Sequence, residues 1–140
     1  QFYINQVIWR MTMRSPTCAE STALFAGKGE SGYTDGPASL AQFDSPHGLC
    51  VTRTGTVYVA DTNNNAIRKI TPDGFVTTVA GTGVAGYRDG STAVAMFQHP
   101  YSVALDEDEH NLYVADTFNS KIRRIRIDPR VSDTRATVKF

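Results

Sequence analysis

The chain of 140 residues predicts an all-β fold, a segment of a β-propeller made of four-stranded antiparallel blades in an incomplete ring. Three observations carry this. A long motif recurs at an offset of 54 residues, each unit divides into four short apolar runs, and Gly-rich turns separate the runs.

The recurrence sets the architecture. Ala26-Gly27-Lys28-Gly29-Glu30-Ser31-Gly32-Tyr33-Thr34-Asp35-Gly36 returns as Ala80-Gly81-Thr82-Gly83-Val84-Ala85-Gly86-Tyr87-Arg88-Asp89-Gly90. The match continues through Ala41/Ala95, Phe43/Phe97 and Pro46/Pro100. One residue is then gained within Asp106-Glu107-Asp108-Glu109-His110-Asn111, and the offset becomes 55 through Tyr58/Tyr113, Asp61/Asp116, Asn64/Asn119 and Ile67/Ile122. A partial copy opens the chain, with Asn5-Gln6-Val7-Ile8 lying over Asn64-Asn65-Ala66-Ile67. The expected organisation is the end of one blade over 1–27, a complete blade with its leading loop over 28–81, and a following blade over 82–140.

Within the complete unit, strands are expected at Gly48–Thr52, Val57–Ala60, Ala66–Thr71 and Phe75–Ala80, paired in that order. Val57 and Val59 take one face of a pleated strand and Tyr58 and Ala60 the other. Thr54-Gly55 and Pro72-Asp73-Gly74 are hairpin punctuation. Ile67 and Ile70 are three apart, which fits one-face alternation poorly, and a bulge or twist would reconcile them.

Val57-Tyr58-Val59-Ala60-Asp61-Thr62-Asn63-Asn64-Asn65-Ala66-Ile67 and Leu112-Tyr113-Val114-Ala115-Asp116-Thr117-Phe118-Asn119-Ser120-Lys121-Ile122 resemble the NHL repeat. Asn64 and Asn119 supply the Asn of that name, Asn65 and Ser120 replace the His, and Ala66 and Lys121 replace the Leu. The resemblance implies a six-bladed ring. Six units of this length need about 325 residues, so the chain is expected to be a segment of a larger ring, or to close one with further blades or by self-association. It also implies a range of functions: NHL propellers include protein-binding modules, RNA-binding modules and a lyase, so the fold alone assigns none.

Candidate chemistry meets a structural explanation at each site. Gly27-x-Gly29-x-x-Gly32 and Gly81-x-Gly83-x-x-Gly86 satisfy a dinucleotide fingerprint, but a Tyr-x-Asp-Gly turn follows where that motif needs a helix. They are expected to be inter-blade loops. Asp61 and Asp116, one per blade, are expected to accept hydrogen bonds from the turn leading to Asn64 or Asn119. With Ile67 and Ile122 they form the structural repeat motif. Pro46-His47-Gly48-Leu49 is similar to an element of peptidyl-hydroxyglycine amidating lyases, NHL propellers that hold a channel zinc through histidines from several blades. The matching position of the next blade is Tyr101, while His99 and His110 are displaced. His47 and Tyr101 therefore read as channel-lining residues, and no metal ligand set or catalytic residue is assigned.

Charge is balanced, with 14 Lys and Arg against 14 Asp and Glu, and gives no general pull toward nucleic acid or anionic membrane. Lys121, Arg123, Arg124, Arg126, Arg130, Arg135 and Lys139 crowd the C-terminus and are read as a solvated edge rather than an RNA face. No run is long and apolar enough for a membrane helix. Cys50, between Leu49 and Val51, reads as a small buried hydrophobe, and Cys18 is left open. The expectation is a non-catalytic scaffold without a cofactor, binding a protein partner through inter-blade loops. A zinc-dependent amidating-lyase-like channel enzyme and an RNA-binding face are the alternatives.

Overall fold

The computed structural model describes residues 6–15, 18–127 and 137–139. Strands β1 (Ile8–Ser15) and β2 (Cys18–Ala26) pair as an antiparallel hairpin. The next sheet comprises β3 (Gly36–Pro37), β4 (Pro46–Val51), β5 (Val57–Asp61), β6 (Ala66–Ile70) and β7 (Phe75–Ala80), in the spatial order β3-β7-β6-β5-β4. The third comprises β8 (Gly90–Ser91), β9 (Pro100–Leu105), β10 (Asn111–Asp116), β11 (Lys121–Arg126) and β12 (Thr137–Lys139), in the order β8-β12-β11-β10-β9. Every pairing between named strands is antiparallel.

The sequence predicts the four-strand meander and its order. It does not predict β3 and β8, in which two residues of each leading loop fold back on the outermost strand, Gly36 opposite Val76 and Val138 opposite Gly90. Among the described residues the one helical element is a 3-10 turn at Thr117–Asn119, and no helix there is long and apolar enough to cross a membrane.

Both faces of the middle sheet are buried, which resolves the Ile67 and Ile70 spacing. An odd separation on a strand puts two residues on opposite faces. Val57, Val59, Ile70 and Val76 pack with Ile8, Ala26, Ala41 and Phe43 on the side of the first hairpin. Tyr58, Ala60, Ile67, Val79 and Ala80 pack with Ala95, Phe97, Val103, Leu112, Val114 and Ile125 of the third sheet. No bulge is needed for the two isoleucines, and β6 stays in register with β5 throughout, Ile67 opposite Ala60 and Ile70 opposite Val57. The register shift that does occur lies on the other edge of β6, against β7 between Ile67 and Arg68.

The junction between the middle and third sheets is closest at the inner strands. A Cβ on Gly48 would lie 2.6 Å from Ser102 Cα and 2.8 Å from the Tyr101 carbonyl oxygen, so Gly lets β4 and β9 approach. Gly27 and Gly81, which open the leading loops, have φ of +112° and +108°. A Cβ at either would fall 2.6 Å from a backbone oxygen, of Gln6 or Asn65 respectively.

Candidate functional site

Each leading loop is fastened to its blade by one buried arginine. Arg68, in the middle of β6, uses all five of its N–H donors. Nε and Nη2 donate to Asp35 Oδ1 at 3.2 and 2.8 Å, Nη2 to the Thr34 carbonyl at 2.8 Å, and Nη1 to the Gln42 carbonyl at 2.9 Å and to Asp61 Oδ2 at 2.6 Å. The guanidinium carbon lies 5.0 Å from the ring centres of both Tyr33 and Phe43. Arg123 repeats the arrangement with Asp89, Arg88, Met96 and Asp116, at 4.8 Å from Tyr87 and Phe97. A planar cation with a rigid donor fork suits such a site, because a buried charge is tolerated only when paired and fully hydrogen-bonded.

Asp61 and Asp116 are the acceptors at the centre. Asp61 Oδ1 accepts from the Asp44 amide at 2.8 Å, and Oδ2 from Asn64 Nδ2 at 2.8 Å as well as from Arg68. Asn64 Nδ2 also donates to the Gly32 carbonyl at 2.7 Å. Asp116 and Asn119 make the matching bonds to the Gln98 amide and the Gly86 carbonyl. The backbone donor to each aspartate thus comes from the segment entering the inner strand, and the turn contributes its asparagine side chain instead. Burial pushes the Asp61 carboxyl above its ordinary range, against the opposing pull of Asn64, the Asp44 amide and Arg68. Each carboxylate is enclosed by structural partners, and the pair are in separate blades, so they form no acid–base dyad.

Arg123 corrects the reading of the C-terminal charges. It is buried and its donors are consumed, so it belongs to no basic face. Arg124 and Arg126 are exposed, and Arg130 and Arg135 lie outside the described residues. Arg68 and Arg123 escape the sequence reading because a mid-strand arginine resembles an exposed edge cation. The signal that could have found them is recurrence: Arg, Asp, Tyr and Phe all return together at the repeat offset.

The two channel-lining candidates do meet. The His47 and Tyr101 rings lie 4.1 Å apart, one from each inner strand. His47 Nδ1 is 2.9 Å from the Ser45 carbonyl and 3.1 Å from Thr62 Oγ1, which itself donates to the Pro100 carbonyl at 2.7 Å. Both neighbours therefore accept, and Nδ1 is the donor to them. His99 stacks on Phe118 at 4.4 Å, and His110 sits in the β9–β10 hairpin with its amide on Asp106. Among the described residues no group of three or more His, Cys, Asp or Glu is arranged to hold a metal ion. The six loop glycines lead into bends and bridges, and no helix follows them.

Four-strand meanders in series, with an Asp–Asn pair at the end of each second strand, define blades of an NHL-type β-propeller. The chain belongs to the teneurin NHL domain family, whose model matches residues 27–139. It is 37% identical over 98 residues to the protein SUPPRESSOR OF QUENCHING 1, chloroplastic, of Arabidopsis thaliana, covering 69% of this chain and 9% of that protein. It is 48% identical over 61 residues to NHL repeat-containing protein 2 of Gallus gallus, covering 43% of this chain and 8% of that one. The chain thus spans only a small part of these relatives. Among solved structures, an auxiliary nutrient binding protein from Bacteroides thetaiotaomicron superposes with a TM-score of 0.75 at 29% identity, over 86% of this chain and 32% of that one.

Proposed function

We propose that the chain is a non-catalytic propeller scaffold that binds a protein partner through its leading loops. One observation carries the reading: the loops that the buried arginines pin in place expose large apolar side chains. Val84 and Leu40 are 62% and 60% exposed, and Tyr33, Tyr87 and Val94 are exposed beside them. Rigid loops on a scaffold are the usual carriers of binding, and ordered aromatic and aliphatic groups are the usual anchors of protein interfaces. The buried charges of the two blades agree, since Arg68, Arg123, Asp61 and Asp116 are consumed by internal partners. The similar Bacteroides protein is an auxiliary nutrient binding protein, which supports a binding role over a catalytic one.

The test is affinity capture with crosslinking from an extract of the source organism, comparing the wild type with Val84→Asp and Leu40→Asp, two exposed loop side chains outside both core clusters. A specific crosslinked protein that is lost in both variants, while their thermal unfolding matches the wild type, is the expected result. Capture that is indifferent to both substitutions removes the loops from the interface.

A further inference from the structure

We infer that the residue after the repeat asparagine is a latch that couples each blade to the next, with Asn65 holding the third sheet to the middle one. The observation is a pair of adjacent amides pulled in opposite directions. Where the chain enters an inner strand, the first amide is held by its own blade: the Asp44 amide donates to Asp61 and the Gln98 amide to Asp116, both at 2.8 Å. The next amide is held by the preceding blade. The Ser45 amide donates to Gln6 Oε1 at 2.5 Å, and the His99 amide to Asn65 Oδ1 at 3.0 Å.

Gln6 and Asn65 occupy the same position of the repeat, so the same bond forms at both junctions. Both side chains belong to buried residues. The receiving residues have left-handed backbones, φ of +52° at Ser45 and +49° at His99, although neither is a glycine. Such a conformation is sparsely populated and persists where the surroundings fix it. Here it follows the reversal of direction between one amide and the next. Asn65 is itself left-handed at +51°, which aims its carbonyl oxygen across the junction while Nδ2 donates to the Asn63 carbonyl at 3.2 Å. Asparagine accepts that backbone more readily than most residues.

The third occurrence of the position is Ser120, also left-handed at +53°. Its amide closes on the Thr117 carbonyl at 3.1 Å. Ser120 therefore supplies an internal control, with the same backbone and no latched amide among the described residues.

Amide hydrogen exchange on the full chain, resolved at single residues, tests the latch. In Asn65→Gly, which keeps the left-handed backbone and removes the acceptor, the His99 amide should exchange about tenfold faster. The Gln98 amide, held by Asp116, should keep its rate. Asn65→Gln should restore protection at His99, as Gln6 does this work at the other junction. Ser120→Gly should leave both amides unchanged. Equal His99 rates in wild type and Asn65→Gly overturn the inference. So does joint acceleration of Gln98 and His99, which would mean the blade has loosened as a whole.

Discussion

Arg68 and Arg123 decide more of this structure than any residue the sequence patterns single out. Each threads one cation between two aromatic rings and saturates its donors on two carboxylates and two carbonyls. A lysine has three donors, no plane and no fork, so Arg68→Lys keeps the charge and forfeits the geometry. The expected cost is about 3–5 kcal/mol, the range for breaking a buried pair, measured by denaturant unfolding, and Arg123→Lys should match it. Asp61→Ala and Asp116→Ala should fall in the same range, because each strands the buried guanidinium. A cost below about 1 kcal/mol for these variants would mean the node relaxes into solvent. The aspartates and asparagines were legible because they recur at a turn, where polar side chains are expected. The arginines were not, because burial of a strand arginine depends on a loop that arrives from more than 25 residues away in sequence. The sequence reads Cys50 as a small buried hydrophobe, whereas the structure leaves it half-buried against the core between the two blades. Burial first, then the charge of Glu109, pushes its thiol from 9.0 up to about 11. Thiolate is the reactive form, so with Cys18→Ser in place Cys50 should react with a thiol reagent at pH 8 about a hundredfold more slowly in the native than in the denatured chain. Equal native and denatured rates would place Cys50 in open solvent.

The four main strands of a blade were legible because each buries side chains on a pleated surface, and a period of two with punctuating glycines records that. The two-residue strands β3 and β8 leave no such record. Gly36-Pro37 has poor strand propensity and one missing N–H, and it becomes a strand only because the loop is delivered onto the free edge of β7. That addition covers Phe75 and Val76 of the outer edge, which would otherwise offer unpaired backbone groups. The inner edge makes its own demand at Gly48, where β4 meets β9. Gly48→Ala must push Ser102 or the Tyr101 carbonyl away, and both contacts are with backbone atoms that cannot rotate aside. The expected loss is about 1–3 kcal/mol, as for overpacking a closed interface, with exchange accelerated in both β4 and β9. Gly55→Ala is the comparison. Its turn has φ of +90°, but the nearest atom to a new Cβ is 3.6 Å away on Pro72. It should cost about 1 kcal/mol of local backbone strain and leave the β9 amides untouched. If the two substitutions behave alike, the close approach of the inner strands is not limiting.

At the scale of the whole chain, whether a repeat position is core or surface depends on what lies beyond it. Ile67 and Ile122 are the same position of the repeat and so are Tyr58 and Tyr113, yet Ile67 is fully buried while Ile122 is 64% exposed. Tyr58 and Tyr113 are 8% and 40% exposed. The difference is the neighbour: the middle sheet has the third packed against that face, and the third sheet has none among the described residues. Sequence reading placed Ile122 in the repeat motif by position, and position could not report the exposure, because repeat units share their core with adjacent units. An uncovered blade face with Tyr113 and Ile122 exposed on it offers apolar surface for association. The chain alone should therefore self-associate, with a light-scattering mass that rises with concentration. Tyr113→Lys combined with Ile122→Glu should hold that mass at the monomer value while the unfolding midpoint stays within a few degrees, since neither side chain contributes to the core between the middle and third sheets. A wild type that remains monomeric across the concentration range removes this face as a sticky surface. Association that persists in the double variant relocates it, and the exposed loop residues Leu40 and Val84 become the next surface to change.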